Sequence, residues 1–258
     1  MTREDLKLPL RLLAEAEERL DRAVGSMSDD EAAAPSLLPD WDRAMVVTHL
    51  ARNAEGNARM IVAKLAGEER PQYPGGPPAR AAAIEAGRGR PVSELLPDLR
   101  GAVAELAAAF GAVGDDEWDL VVTAGVGPRP VRQRVGGRRV EVEVHHADLG
   151  LAYTWRDWPD DLVSDQLPRR IRNLARDVAD GASVGQWLLI TPSQSWTVSV
   201  ADDVTVSEMA ASAPSGSVHG SDAALYAWLI GRARAADAGL RVEGDGRVVD
   251  LAEWFPWS

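Results

Sequence analysis

Apolar residues recur at three- and four-residue intervals along the first 25 positions, at Leu6, Leu10, Leu13, Ala16, Leu20 and Val24. This is the spacing of one face of an amphipathic helix, with Pro9 near its start and its end near Gly25. The stretch from Ser28 to Pro39 carries turn residues and prolines. Asp40 then caps a second helix with Trp41 and Asp42 in its first turn, running to Ala66 just before Gly67. From Gly67 to Pro91 the composition shifts to Pro, Gly, Arg and Ala, with Pro71, Pro74, Pro77 and Pro78 close together. That composition predicts a long surface connection holding a short helix around Arg80 to Ala86. Ser93 caps a third helix in which Leu96, Leu99, Val103, Leu106 and Phe110 share one face. A fourth element, from about Arg138 to Tyr153, follows the breakers Gly136 and Gly137. Its first half, Arg139-Val-Glu-Val-Glu-Val-His145, alternates valine with polar residues, which is the pattern of a half-buried strand. Three preceding helices of similar length argue instead for a fourth helix completing a bundle, and the helix is the reading taken here.

After Trp158-Pro159 the pattern changes. A helix from about Asp160 to Asp180, with Pro168 inside it, precedes three short apolar or alternating runs, Gln186 to Thr191, Ser195 to Ala201 and Val204 to Met209. A helix from Ser221 to about Ala236 follows, and then two last runs, Leu240 to Glu243 and Arg247 to Leu251. Strands flanked by two helices predict a compact α/β domain with a largely antiparallel sheet. The expected fold class is therefore α+β, with a four-helix bundle over residues 1–158 and a smaller α/β domain over 159–258.

The chain has 258 residues, 45% of them apolar and 26% charged, the balance of a globular protein with a real core. Its 40 acidic and 28 basic side chains give a formal charge of -12, which repels phosphate backbones and anionic headgroups and argues against nucleic acid and membrane as partners. No segment approaches the roughly 20 apolar residues needed to cross a bilayer, and Met1-Thr-Arg-Glu-Asp-Leu-Lys leads into an amphipathic pattern instead of a signal-peptide block. A cytoplasmic location is expected. The chain contains no cysteine, so there is no disulfide, no thiolate ligand and no cysteine nucleophile. Any thiol chemistry must use a thiol from outside.

Four histidines are present, at 49, 145, 146 and 219. On a helix Glu141 and His145, four apart, project from one face and can grip one ion, with His49 arriving from the second helix. Two imidazoles and one carboxylate make a three-ligand zinc site with a fourth position open to water, substrate or a thiolate. A Glu/His pair at this spacing is most often a solvated surface pair, so spacing alone does not settle the metal. A strand would place Glu141, Glu143 and His145 together, whereas a helix throws Glu143 to the far side. His146 points about 100° away from the ligand direction, which suits a supporting or structural place. No Gly-x-Ser-x-Gly elbow, P-loop or Gly-rich nucleotide fingerprint is present. The acidic cluster Asp115, Asp116, Glu117 and Asp119 lacks calcium-loop spacing and reads as a solvated turn.

Ser36-Leu-Leu-Pro-Asp-Trp41, followed by Thr48-His-Leu-Ala-Arg-Asn53, resembles the signature of the mycothiol-dependent maleylpyruvate isomerase family. Arg139-Val-Glu141-Val-Glu-Val-His145-His-Ala-Asp148-Leu149 resembles that family's second motif. Tyr73-Pro-Gly-Gly followed by Arg80 and Ile84-Glu85-Ala-Gly87 is a smaller echo, as is Tyr226-Ala-Trp228-Leu-Ile-Gly-Arg232 near the C terminus. The resemblance implies a DinB-like four-helix bundle followed by a sterol-carrier-like α/β domain. It implies zinc, Zn2+, held by His49, Glu141 and His145, mycothiol as the thiol co-substrate, and an arginine of the C-terminal domain used in activity, here Arg232.

The expected chemistry is that of a thiol made acidic by the metal's positive charge. As thiolate it adds to an activated carbon-carbon double bond, the resulting single bond rotates, and elimination returns the thiol with a trans alkene. An alternative keeps the sulfur on the product, making the protein a mycothiol S-transferase. A small carboxylate-bearing electrophile calls for a cationic partner, and Arg232 offers a two-point grip, or else merely complements the end of its helix. Asp148 could orient a ligand imidazole. Two other classes remain: a zinc hydrolase active without thiol, and a non-enzymatic binding protein with an apolar cavity lined by Trp187, Trp196 and Trp228.

Overall fold

A computed structural model describes residues 2–125, 127–174, 182–209, 211 and 213–254. The chain divides into two compact units, Met1–Ala152 and Tyr153–Ser258.

In the first unit four long helices, α1 (Arg3–Ser26), α3 (Arg43–Leu65), α5 (Val92–Ala112) and α6 (Val131–Asp148), form a bundle in which α1 and α3 each pack on both α5 and α6. Helix α1 buries Leu6, Leu13, Ala16, Leu20 and Val24, the expected stripe, with Leu10 at its margin. On α5 the buried residues are Leu95, Leu99, Ala102, Leu106, Ala109 and Phe110, while Leu96 and Val103 are only partly covered. The buried face of α5 is thus turned slightly from the expected one. Each fully buried leucine of these faces stabilises the bundle by about 1.5–3 kcal/mol relative to exposure.

The ends of the helices differ from expectation for identifiable reasons. Ser28 and Glu31 form a reciprocal capping box that starts a five-residue helix, α2 (Asp29–Ala33), where only a turn was expected. Asp40 does not cap α3: its φ of 65° is left-handed, whereas a capping residue is extended, and Asp42 takes the role by accepting from the Met45 amide at 2.8 Å. Helix α4 (Gly76–Glu85) begins ahead of Arg80 because Pro77 and Pro78 fit a first turn. Helix α5 begins at Val92 with Pro91 before it, so Ser93 lies inside the helix instead of capping it.

The largest correction concerns α6. A short hairpin, β1 (Val121–Ala124) with β2 (Gly127–Pro130), runs straight into it, and Gly136 and Gly137, read as breakers, lie inside the helix. Two interior glycines cost about 1 kcal/mol each, which the burial of Val131, Val135, Val142 and Val144 on the same helix outweighs. The helix stops at Asp148, ahead of Tyr153, where Gly150 turns left-handed. The valine-alternating stretch is helical throughout.

The connection between α3 and α5 is pinned onto α3 by close backbone approaches. A Cβ at Gly56 would meet the Gln72 carbonyl oxygen at 2.9 Å, and one at Gly87 would meet Thr48 Cβ at 2.6 Å. Arg59 donates to the Gln72 carbonyl at 2.7 Å and the Gly89 amide donates to Asp42 at 2.9 Å. Tyr73, α4 and Arg80 are held between these pins.

The second unit holds helix α7 (Asp160–Asn173), with Pro168 inside it. The expected continuation of α7 to Asp180 lies outside the described residues from position 175 onward. Strands β3 (Gly185–Ile190), β4 (Ser195–Val200), β5 (Val204–Ser207), β6 (Gly216–His219) and β7 (Arg241–Gly244) form one sheet in the order β5-β4-β3-β6-β7. Its pairs are antiparallel except β3 with β6. Helix α8 (Asp222–Leu229) is shorter than expected because Gly231 adopts a φ of 71° just past its end. The run from Arg247 to Leu251 is not a strand: Asp245 caps a 3-10 turn over Gly246–Asp250 that continues into α9 (Leu251–Trp254). Trp187, Trp196 and Trp228 are all at most 2% exposed, the place of core residues.

Two glycine substitutions of opposite sign follow from this packing. Gly137→Ala, on an exposed helical position with nothing within 4 Å of the added Cβ, should raise stability by about 0.5–1 kcal/mol. Gly87→Ala should lower it by about 1–3 kcal/mol through overlap with Thr48. Urea-denaturation midpoints of the two variants against the parent measure both, and a neutral Gly87→Ala would show that the connection is not held where described.

Candidate metal centre

His49 on α3 faces Glu141 and His145 on α6, and one donor atom of each lies within 4.8 Å of the others. Glu141 and His145 share a face because they are one helical turn apart; His49 reaches them because α3 and α6 pack together. His49 Nε2 is 3.2 Å from Glu141 Oε2, and His145 Nε2 is 3.6 Å from the same oxygen. The two imidazole rings meet edge to face, 4.7 Å between centroids. Tetrahedral zinc with bonds of about 2.0–2.1 Å separates neighbouring donors by about 3.3–3.4 Å, so the two measured edges suit a common ion. A nitrogen, nitrogen, oxygen donor set is also one that zinc accepts.

The surroundings prepare the donors for that role. Asp148, 1% exposed, sits 2.9 Å from His145 Nδ1. A proton on Nδ1, donated to this carboxylate, leaves Nε2 with its lone pair toward Glu141, the orientation a metal-binding imidazole requires. Trp41 packs edge-on against the His49 ring at 5.8 Å. Burial pushes the His49 imidazolium down to about 4; the Glu141 hydrogen bond opposes this and the positive fields of His145 and Arg80 assist it. His49 is therefore neutral at neutral pH, as a metal-binding imidazole must be. Burial acts to raise the Glu141 carboxyl, but the hydrogen bond from His49 and the charges of His145, His49 and Arg138 prevail and bring it to about 2.

The helix separates the acids of α6 as expected. Glu143 points to the far side, fully buried, where it accepts from Arg19 of α1 at 2.6 Å. His146 is buried and contributes no donor to the cluster. The acidic turn after α5 is structural: Asp115 accepts from the Arg3 amide, Glu117 from the Gly114 amide and Asp119 from Arg132. His219 lies on β6 beside Ser217 and Arg241 in the second unit. Arg232, also in the second unit and half-buried, donates from Nη1 to the Ile230 carbonyl at 2.9 Å, just past α8.

Sequence reasoning assigned no role to Asn53, Tyr73, Arg80 or Arg138. Arg138, 1% exposed and one turn before Glu141, donates to the Leu50 carbonyl at 2.8 Å, to Asn53 Oδ1 at 3.1 Å and to Glu17 at 3.1 Å. Asn53 stands one turn after His49. Arg80 Nη2 lies 3.2 Å from His49 Nδ1, with its guanidinium 5.6 Å from the Tyr73 ring centroid. The helical offsets 49 to 53 and 138 to 141 were the available signal for Asn53 and Arg138. For Tyr73 and Arg80, which arrive from the connection, the only signal was the family-like run Tyr73-Pro-Gly-Gly followed by Arg80.

Together these features define a four-helix-bundle protein with a two-histidine, one-glutamate candidate metal centre, followed by a mixed-sheet unit. Residues 13–150, more than half of the chain, match the family described as the mycothiol maleylpyruvate isomerase N-terminal domain, and the chain belongs to that family. Crystal structures of the mycothiol-dependent maleylpyruvate isomerase share the fold at 24% sequence identity. A histidine-to-alanine variant superposes with a TM-score of 0.77, covering 94% of this chain and 95% of that one. A second structure of that isomerase gives 0.75 over 90% and 92%. Sterol Carrier Protein 2 Like 2 from Aedes Aegypti gives only 0.28 over 37% of this chain at 19% identity, too low to carry an argument. No curated protein matches. Among the described residues no helix is long and apolar enough to cross a membrane.

The two shifted groups make the metal-free protein acid-sensitive. His49 protonates at about 4 when folded against 6.5 when unfolded, and Glu141 at about 2 against 4.5. In both cases the unfolded chain binds the proton first, so stability falls as pH falls, through His49 between 6.5 and 4 and through Glu141 between 4.5 and 2. The His49 slope approaches about 1.4 kcal/mol per pH unit at most. Melting temperatures of chelator-treated protein should decline between pH 6.5 and 4.5 and decline less in His49→Asn. Parallel profiles would refute the assignment.

Proposed function

We propose that the protein is a zinc- and mycothiol-dependent isomerase acting on a small, electrophilic, carboxylate-bearing substrate by maleylpyruvate-type cis-trans isomerisation. The observation that carries this reading is the convergence of His49, Glu141 and His145 on one point in a chain of this family. His49, Glu141 and His145 would hold the ion, and Asp148 would keep the His145 ring in its ligating orientation. When bound, the ion supplies positive charge that lowers the pKa of an arriving thiol and favours its thiolate. The absence of cysteine means the sulfur comes from a co-substrate. Trp41, partly buried, packs edge-on against the buried His49 and would limit solvent access on that side of the centre. Arg232 is assigned the two-point grip on a substrate carboxylate, a role in which its planar fork outperforms an ammonium. The burial of Trp187, Trp196 and Trp228 in the second unit supports a packed core there and weighs against a tryptophan-lined cavity.

Elemental analysis of purified protein should find one zinc per chain, and His49→Ala should lose it. Isomerisation of maleylpyruvate by the metal-loaded protein should require added mycothiol. Conjugation without isomerisation would select the S-transferase reading, and full turnover without thiol would select a hydrolase. Arg232→Lys should keep fold and zinc while lowering kcat/KM about tenfold or more, the scale of a lost charge-assisted contact. Unchanged turnover would remove Arg232 from the site.

A further inference from the structure

Arg80 is the unusual cation of the α3–α5 connection. Its neighbours along that segment are paired: Arg70 with Glu68, Arg88 with Glu85, Arg90 with Asp98. Arg80, half-buried, has no carboxylate within ion-pair distance among the described residues; it stacks over Tyr73 and donates to His49 Nδ1. An arginine never accepts a hydrogen bond, so Nδ1 is the acceptor here. The His49 ring proton therefore sits on Nε2, facing Glu141 Oε2 at 3.2 Å. This tautomer satisfies both partners of the His49 ring, Arg80 and Glu141.

It is also the wrong tautomer for a ligand. His49 can offer its Nε2 lone pair only with its proton on Nδ1, and two donors then face each other between His49 and Arg80. Excess positive charge at the centre repels the guanidinium further. A nearby anion would convert that repulsion into a two-point, charge-assisted contact. The pins at Gly56, Gly87 and Arg59 hold the backbone of the connection in place, so only the side chain need turn.

We propose that Arg80 is a positioning residue for an anionic ligand at the centre: it rests on His49 Nδ1 in the metal-free protein, leaves it when the metal binds, and then grips a carboxylate of the substrate. This rests on the metal-centre reading given above. With Glu141 and a thiolate balancing the ion, the unpaired charge of Arg80 is what remains to meet an anionic group, and its planar fork fits a carboxylate. Arg80 thus links metal loading to substrate recognition, and the two binding events must strengthen each other equally.

The test uses the full chain, with Arg80→Met and Arg80→Gln as uncharged variants and Arg80→Lys retaining charge. Zinc affinity is measured by competition with a chromophoric chelator, with and without maleate, and maleate binding to zinc-loaded protein by calorimetry. In the parent, maleate should tighten zinc binding several-fold. Arg80→Met and Arg80→Gln should bind zinc more tightly than the parent when maleate is absent, since the competing hydrogen bond and the cation are gone. They should bind maleate about tenfold more weakly and show no maleate effect on zinc. Arg80→Lys should fall between. Circular dichroism establishes the fold of each variant, and the Gln variant decides the matter where Met fails to fold. Unchanged zinc and maleate affinities in either folded uncharged variant would overturn the assignment of Arg80. A parent chain that binds no zinc would instead overturn the metal-centre reading beneath it.

Discussion

The seam between α3 and α6 is polar, and the bundle is built around keeping it satisfied. Buried polar groups are costly without partners, and a buried charge costs more. His49 and Asn53 on one helix meet Glu141 and Arg138 on the other through hydrogen bonds of 3.2 and 3.1 Å. A seam of leucines at the same place would hold the helices together at less cost, so stability alone does not explain these residues. They fix the relative register of α3 and α6, and that register is what brings three donor atoms to one point.

Helix α1 lets the seam remain polar without excess charge. Its Glu17 faces Arg138 at 3.1 Å and its Arg19 faces Glu143 at 2.6 Å. Two buried charges of α6 outside the donor set, Arg138 and Glu143, are thereby paired from the opposite side. Glu141, flanked by a buried cation one turn before it and an imidazole one turn after it, is left to the centre. Its carboxylate stays ionised because His49, His145 and Arg138 outweigh its burial. The sequence Arg138, Glu141, His145 is thus a stripe of alternating function on one face of α6. Apolar residues elsewhere on α6, Val131, Val135 and Val142, anchor it in the core.

What the sequence made legible follows from locality. The bundle helices showed in the three- and four-residue spacing of their apolar residues, and the Glu141–His145 pair in its own four-residue spacing, because both are within-helix relations. Helix ends were harder, since a single backbone angle decides them: Asp40 looks like a cap until its positive φ is seen, and Ser28 looks like a turn until Glu31 closes the box. Gly136 and Gly137 misled because propensity ranks local preference while tertiary burial decides the outcome. The 121–130 hairpin carried too short and too proline-rich a pattern to be read. The place of Arg80 beside His49 was hidden for a different reason: it reaches His49 across 31 residues of sequence, through a connection whose path depends on close approaches at Gly56 of α3 and at Gly87.

The same separation of local and non-local parts bears on how such a bundle acquires substrates. The formal charge of -12 opposes an anion at long range, but at physiological ionic strength this field fades within about 8 Å. Recognition of an anionic molecule must then be made at contact distance, by individual cations set in half-buried surroundings. The donor set itself is fixed by two helices and leaves little room for variation. The connection carrying Tyr73 and Arg80 is different, because it is held by its backbone at a few points while these two side chains reach toward the centre. Residues there can change without disturbing the helical register that places the three donor atoms, so one bundle can keep its donor set while the surroundings of that set vary.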